Sequence, residues 1–144
     1  MNPEYIIIHH SLTEDNQTVS WNAIRKYHVE ENGWRDIGYH YGIELVGDTY
    51  EIFKGRMDNE AGAHCLGFND KSIGICLVGN FDQVGPTPTQ LRILRHLVNS
   101  LMDIYGIKSD KVLGHWETYE MMNQPPQKTC PGVMFNMPDF RSKL

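Results

Sequence analysis

The spacing of apolar residues changes several times along the chain, and each change predicts an element. Tyr5-Ile6-Ile7-Ile8 is a short β-branched run bounded by Pro3 and the polar stretch Ser11 to Thr18, which predicts a buried strand over residues 5–9. Side chains of a strand alternate between faces, so His9 and His10 point opposite ways and only one of them can join a shared site. Trp21, Ile24 and His28 recur at helical spacing, with Thr18 or Ser20 available as N-cap and Gly33 as the stop. Residues 39–45 and 49–53, either side of Gly47-Asp48, alternate aromatic and branched side chains and predict a β-hairpin.

The polar, Gly-containing stretch from Lys54 to Lys71 has no clear period, and at that length a functional loop is expected. It carries His64, Cys65 and Asn69. Residues 72–78 are almost continuously apolar, as a central strand covered on both faces requires, with Cys76 as a small buried hydrophobe. Thr87-Pro88-Thr89-Gln90 spells a capping box with proline at the first helical position. Behind it Leu91, Leu94, Leu97, Val98, Leu101, Ile104 and Tyr105 form one stripe that Gly106 ends. A last short strand, Lys111-Val112-Leu113, delivers His115 to the end of the sheet where His9 is expected. The fold class is α/β: a single domain, residues 1–144, with a central mixed sheet flanked by helices.

Composition narrows this little. The 144 residues, 40% hydrophobic and 22% charged, suit one domain with a genuine core. A formal net charge of −5 argues against a nucleic-acid or anionic-membrane surface. No stretch approaches the roughly 18 apolar residues of a membrane span. The N-terminus has no basic region ahead of its apolar run, so synthesis in the cytoplasm without a secretory signal is expected. The three cysteines are an odd number, so at least one lies outside any intramolecular disulfide. Neither a phosphate-cradling glycine loop nor a nucleophile elbow occurs.

The candidate chemistry lies in two imidazoles and a thiol. Leu113-Gly114-His115-Trp116-Glu117 is followed by a Pro-rich loop and Lys128-Thr129-Cys130-Pro131, and the first strand ends in His9-His10. Zn²⁺ takes nitrogen and sulfur ligands, and a catalytic zinc keeps three protein ligands with one position open. Two histidines and a cysteine fill that description.

These motifs carry a resemblance. Ile6-Ile7-Ile8-His9, Asp36-Ile37-Gly38-Tyr39-His40, Gly62-Ala63-His64 with Gly67-Phe68-Asn69, Ser72-Ile73-Gly74-Ile75, Leu77-Val78-Gly79, Gly114-His115-Trp116-Glu117 and Lys128-Thr129-Cys130-Pro131 follow one another in order over nearly the whole chain. They are similar to the zinc-dependent N-acetylmuramoyl-L-alanine amidases of the phage-lysozyme type, a family that includes the peptidoglycan recognition proteins. The resemblance implies that His9, His115 and Cys130 are ligands of one Zn²⁺ per chain, that Tyr39 and Lys128 assist catalysis, and that His64 and Asn69 line a substrate groove. The related cytoplasmic amidases that recycle anhydromuropeptides resemble the chain less well, having an Asp where Cys130 stands and an acidic residue in place of Tyr39.

The implied substrate is the amide between N-acetylmuramic acid and L-alanine of bacterial peptidoglycan, and the implied role that of a phage or prophage endolysin, a monomer that reaches the wall after release from the host cytoplasm. Two alternatives stand beside it. A recognition module would bind muropeptides with little turnover, and a cysteine hydrolase would use Cys130 as nucleophile with His115. Glu117 is expected either to orient a ligating histidine or to be a solvated carboxylate, His28 and His96 to be surface or groove-edge residues on helices, and His40 to be structural.

Overall fold

The computed structural model describes residues 1–13 and 21–144. The proposed caps Thr18 and Ser20 lie outside the described residues. The chain forms β1 (Tyr5–His10), α1 (Trp21–Lys26), which runs on into a π-helical turn (Tyr27–Glu31), β2 (Tyr41–Val46), β3 (Thr49–Lys54), β4 (Ser72–Leu77) and α2 (Pro88–Tyr105). A 3₁₀ turn (Ser109–Lys111), β5 (Val112–Gly114), α3 (His115–Met121) and α4 (Met137–Ser142) complete it.

The five strands lie in the order β3-β2-β4-β1-β5. β1 is parallel to β4 and β5, β2 is parallel to β4, and among the described residues only the hairpin pair β2 and β3 is antiparallel. This is the mixed α/β sheet expected. β1 and β4 are buried along their whole length, which explains why neither shows a polar face in the sequence.

Alternation then divides the strands between two cores. Ile6 and Ile8 of β1 and Ile73, Ile75 and Leu77 of β4 pack with Leu94, Val98 and Leu101 of α2. Tyr5 and Ile7 pack with Cys65 and Phe68 of the 55–71 loop on the opposite face, and Trp21, Ile37 and Cys76 form a third cluster. His9, two residues beyond Ile7, therefore faces away from α2. That long loop covers the sheet, held by Arg56, whose Nε donates to the Ile37 carbonyl at 2.9 Å and Nη1 to that of Ala61 at 2.8 Å.

The capping box of α2 is present in both directions, Gln90 N to Thr87 Oγ1 at 3.1 Å and Thr87 N to Gln90 Oε1 at 3.3 Å, and Gly106 closes the helix in the left-handed conformation. The hairpin differs in one detail. β2 begins at Tyr41, and Tyr39 and His40 precede it. Their backbone still pairs irregularly, His40 N with Gly74 O and Arg56 N with Tyr39 O. His40 is buried, its Nδ1 accepting from Gly74 N and its Nε2 bonded to the Glu60 carbonyl, so the structural role expected of it holds.

α3 and α4 were not expected, because each is too short to display a stripe. Both are held by contacts at their ends. Glu117 Oε2 accepts from Gly114 N at 2.7 Å, and the carboxylate takes both guanidinium donors of Arg141 on α4, at 2.7 and 2.8 Å. Glu117 thus neither orients a ligand directly nor stands in solvent. Among the described residues no helix is long and apolar enough to cross a membrane.

The hairpin and the far end of α2 meet at Asp58, which accepts from Tyr41 at 3.0 Å, from Tyr105 at 2.7 Å and from Lys54. Burial alone would raise its pKa, but these three donors outweigh it and hold the carboxyl below its ordinary value. A depressed pKa contributes stability that is present above the unfolded value near 3.9 and is lost as pH falls through the folded one. Asp58→Asn should therefore cost about 1 kcal/mol at pH 7, allowing for its partial exposure, with the gap to the parent closing as pH is taken well below 4 in urea titrations.

Candidate metal centre

His9 is the fifth residue of β1 and pairs in register with Cys76 of β4, while Ile8 pairs with Gly114 at the end of β5. Since β1 and β5 are parallel, the chain leaving β5 enters α3 beside His9, and His115 is the first residue of that helix. Cys130 comes from the loop after α3, whose backbone is tied back by Trp116 N donating to the Cys130 carbonyl at 2.8 Å. On its other side the loop is held by Asp82, which accepts from Thr129 Oγ1 and from Val133 N, both at 2.9 Å.

These elements bring His9, His115 and Cys130 together. One donor atom from each lies within 4.8 Å of the others, the His9 and His115 ring centroids are 4.7 Å apart, and His9 Nδ1 is 3.5 Å from Cys130 Sγ. All three are buried, with exposures of 2%, 7% and 8%. Bonds of about 2.3 Å to sulfur and about 2.0 Å to nitrogen at a tetrahedral angle place N and S about 3.6 Å apart, close to the separation found.

The electrostatics suit a cation. Burial, then the neighbouring His64, His115 and Lys128, hold His9 well below the usual imidazole value, and burial with Lys128 takes His115 down to about 4. Both rings are thus neutral, with a lone pair to offer. Burial pushes the Cys130 thiol up to about 12. That is the reverse of an activated nucleophile, and an ion that displaces the thiol proton would relieve it. The donor set and its spacing fit Zn²⁺.

Around the three donors the other expected residues fall differently. The Tyr39 ring lies 5.2 Å from that of His9, against Trp21 at 6.3 Å and His28 at 5.7 Å. Burial, then the thiols of Cys76 and Cys130, push its phenol well above the ordinary value, so it keeps its proton. Lys128 is an exposed loop residue whose charge is felt at both imidazoles. An open cleft beside Cys130 is lined by His10, Leu12, Asp82, Lys128 and Thr129, and a second, on the Tyr39 side, by Ser11, Thr13, Ile24, Tyr27 and His28.

His64 and Asn69 are engaged within the protein. His64 Nδ1 is 2.9 Å from His9 Nε2. Asn69 Oδ1 accepts from the backbone of His64 at 2.7 Å and Cys65 at 2.8 Å. His10 accepts from Phe81 N at 3.0 Å and supports the strap that holds Cys130. His28 accepts from Gly38 N at 3.0 Å, and His96 is exposed on α2. Cys65 lies 3.4 Å from Thr118 Oγ1 and joins the long loop to α3. Asp82 was missed, and nothing local marks it: its partners are 47 and 51 residues away.

The family model described as N-acetylmuramoyl-L-alanine amidase matches residues 1–133. The chain belongs to that family. It is 41% identical over 107 residues to the endolysin of Enterobacteria phage T3, a match covering 71% of this chain and 68% of the relative. Among solved structures, N-acetylmuramoyl-L-alanine amidase LysC from Clostridium intestinale URNW superposes with a TM-score of 0.81 at 32% identity, covering 99% of this chain and 85% of that one. A variant of Drosophila PGRP-LB in complex with tracheal cytotoxin gives 0.74 at 31% identity, over 94% and 79%. The resemblance to amidases and to peptidoglycan recognition proteins is thus borne out by both sequence and fold.

The burial and spacing of the donors lead to a direct expectation. Cys130→Ala and His115→Ala should each abolish stoichiometric zinc binding in metal analysis while leaving the circular dichroism of the sheet in place.

Proposed function

We propose that this chain, as one domain over residues 1–144, is a zinc-dependent amidase of the phage-endolysin kind. It cleaves the amide between the lactyl group of N-acetylmuramic acid and L-alanine in bacterial peptidoglycan, as a monomer with one Zn²⁺. The observation that carries the reading is the convergence of His9, His115 and Cys130 within 4.8 Å, with Cys130 lining an open cleft. The family match, the phage endolysin relatives and the amidase neighbours support it. The relative held with tracheal cytotoxin supports a muropeptide as the partner. In this reading the protein acts on the cell wall once it has left the cytoplasm in which it is made.

His9, His115 and Cys130 would hold the ion, which when bound supplies a Lewis acid and a nucleophile at neutral pH. The rest of the chemistry belongs to the chain. Attack on the amide carbon gathers negative charge on its oxygen, and a donor aimed at that charge lowers the barrier only if it binds the transition state better than the ground state. Tyr39 suits this because its raised pKa keeps the hydroxyl protonated, making it a donor rather than a base. Lys128, which lines the cleft beside Cys130, adds a positive charge felt at both imidazoles. The departing L-alanine nitrogen must gain a proton, which Tyr39, Lys128 or a water at the site could supply.

Purified sacculi provide the test. Turnover, read as new amino termini, should vanish with a chelator and return with Zn²⁺. Tyr39→Phe should retain zinc yet lose about 10²-fold or more in turnover. Activity that survives chelation, loss of zinc from Tyr39→Phe, or binding of sacculi without any release of amino termini would each refute the assignment.

A further inference from the structure

We infer that His64 is a positioning residue for the metal centre: it accepts the Nε2 proton of His9 and so turns the His9 Nδ1 lone pair toward Cys130 and His115. The inference rests on the zinc reading above, and goes beyond it by giving a residue expected in the substrate groove a task behind the ligand.

The argument is one of hydrogen-bond polarity. Phe68 offers a backbone carbonyl, which can only accept, and Ser72 Oγ donates to it at 2.7 Å. With its proton so committed, the Ser72 oxygen presents a lone pair to His64 Nε2, 3.4 Å away, and that nitrogen carries hydrogen. A neutral His64 then has its lone pair on Nδ1, which faces His9 Nε2 at 2.9 Å. His9 must donate there. Its own lone pair falls on Nδ1, the atom 3.5 Å from Cys130 Sγ. The relay runs in one direction because it ends on a carbonyl that cannot be reversed, and it selects the tautomer that a metal requires of His9.

The surroundings are shaped for this ring. A Cβ placed on Gly74 of β4 would stand 2.6 Å from His64 Cγ and Cδ2, and one on Gly62 would stand 2.5 Å from Cδ2. Two glycines from different segments thus leave a slot for the imidazole. Asn69 fixes the backbone that carries it, while the His9 and His40 rings meet it edge to face, at 4.9 and 5.7 Å. Filling the slot does not need a polar ring. A partner for His9 does.

Two measurements decide the matter on the whole chain: zinc affinity by chelator competition, and the His9 tautomer by long-range ¹H–¹⁵N correlation in the zinc-free protein. The parent should show His9 with hydrogen on Nε2. His64→Leu should bind zinc about 10- to 100-fold more weakly and lose that tautomer preference, whereas His64→Asn, whose amide oxygen can stand where Nδ1 stood, should retain both to within about three-fold in affinity. Parental zinc affinity in His64→Leu, or Asn failing as badly as Leu at equal thermal stability, would overturn the inference and leave the zinc reading intact. So would finding His9 with hydrogen on Nδ1 in the zinc-free parent, a result that does not depend on any variant folding. A parent that binds no zinc would remove both.

Discussion

Two imidazoles and a thiol, buried within a few ångströms of one another, form a donor set that a cation would complete. The fold has to hold them regardless, and it does so with the parallel register of β1 between β4 and β5. Parallel strands end together, so the end of β1 and the exit of β5 deliver His9 and His115 to the same edge without a dedicated loop for either. Cys130 then arrives on the loop that follows α3, and the Trp116 to Cys130 backbone bond ties that loop to the helix that carries His115. This follows the general tendency of α/β sheets to build sites beyond the carboxyl ends of their strands.

The second constraint is that the three candidate donors come from segments with little in common, each of which is anchored elsewhere. β1 is locked between two cores, with α2 on one face and the long loop on the other. α3 is held at its start by Glu117, which is itself gripped by Arg141 of α4, beyond the stretch matched by the family model. The Cys130 loop is strapped to the Phe81-Asp82 turn, and His10 supports that turn from β1. Adjacent histidines on one strand are therefore placed differently: His9 faces His115 and Cys130, and His10 braces the turn to which the Cys130 loop is strapped.

The place of the long loop between β3 and β4 in the fold explains why such a length is needed. It covers the face of the sheet that α2 leaves bare, burying Cys65 and Phe68, and it inserts His64 behind His9. Its glycines, Gly62 here and Gly74 on the neighbouring strand, make sense only with that ring in place.

Much of this was legible along the chain. β-branched runs marked β1 and β4, the Thr87 to Gln90 box with its stripe marked α2 to within a residue, and the order of short motifs marked the family and its fold. Those signals are local, because backbone propensity, capping and alternation act over a few residues. α3 and α4 were invisible because short helices depend on end contacts with distant partners, Glu117 with Arg141 above all. The orientations of His64, Asn69 and Asp82 were likewise beyond reach, since a side chain turns toward whatever the packed chain sets beside it. Residue types and their order specified the elements and the candidate donors; the parallel register and the loop folded over it decided which of the histidines face one another, and which nitrogen each presents.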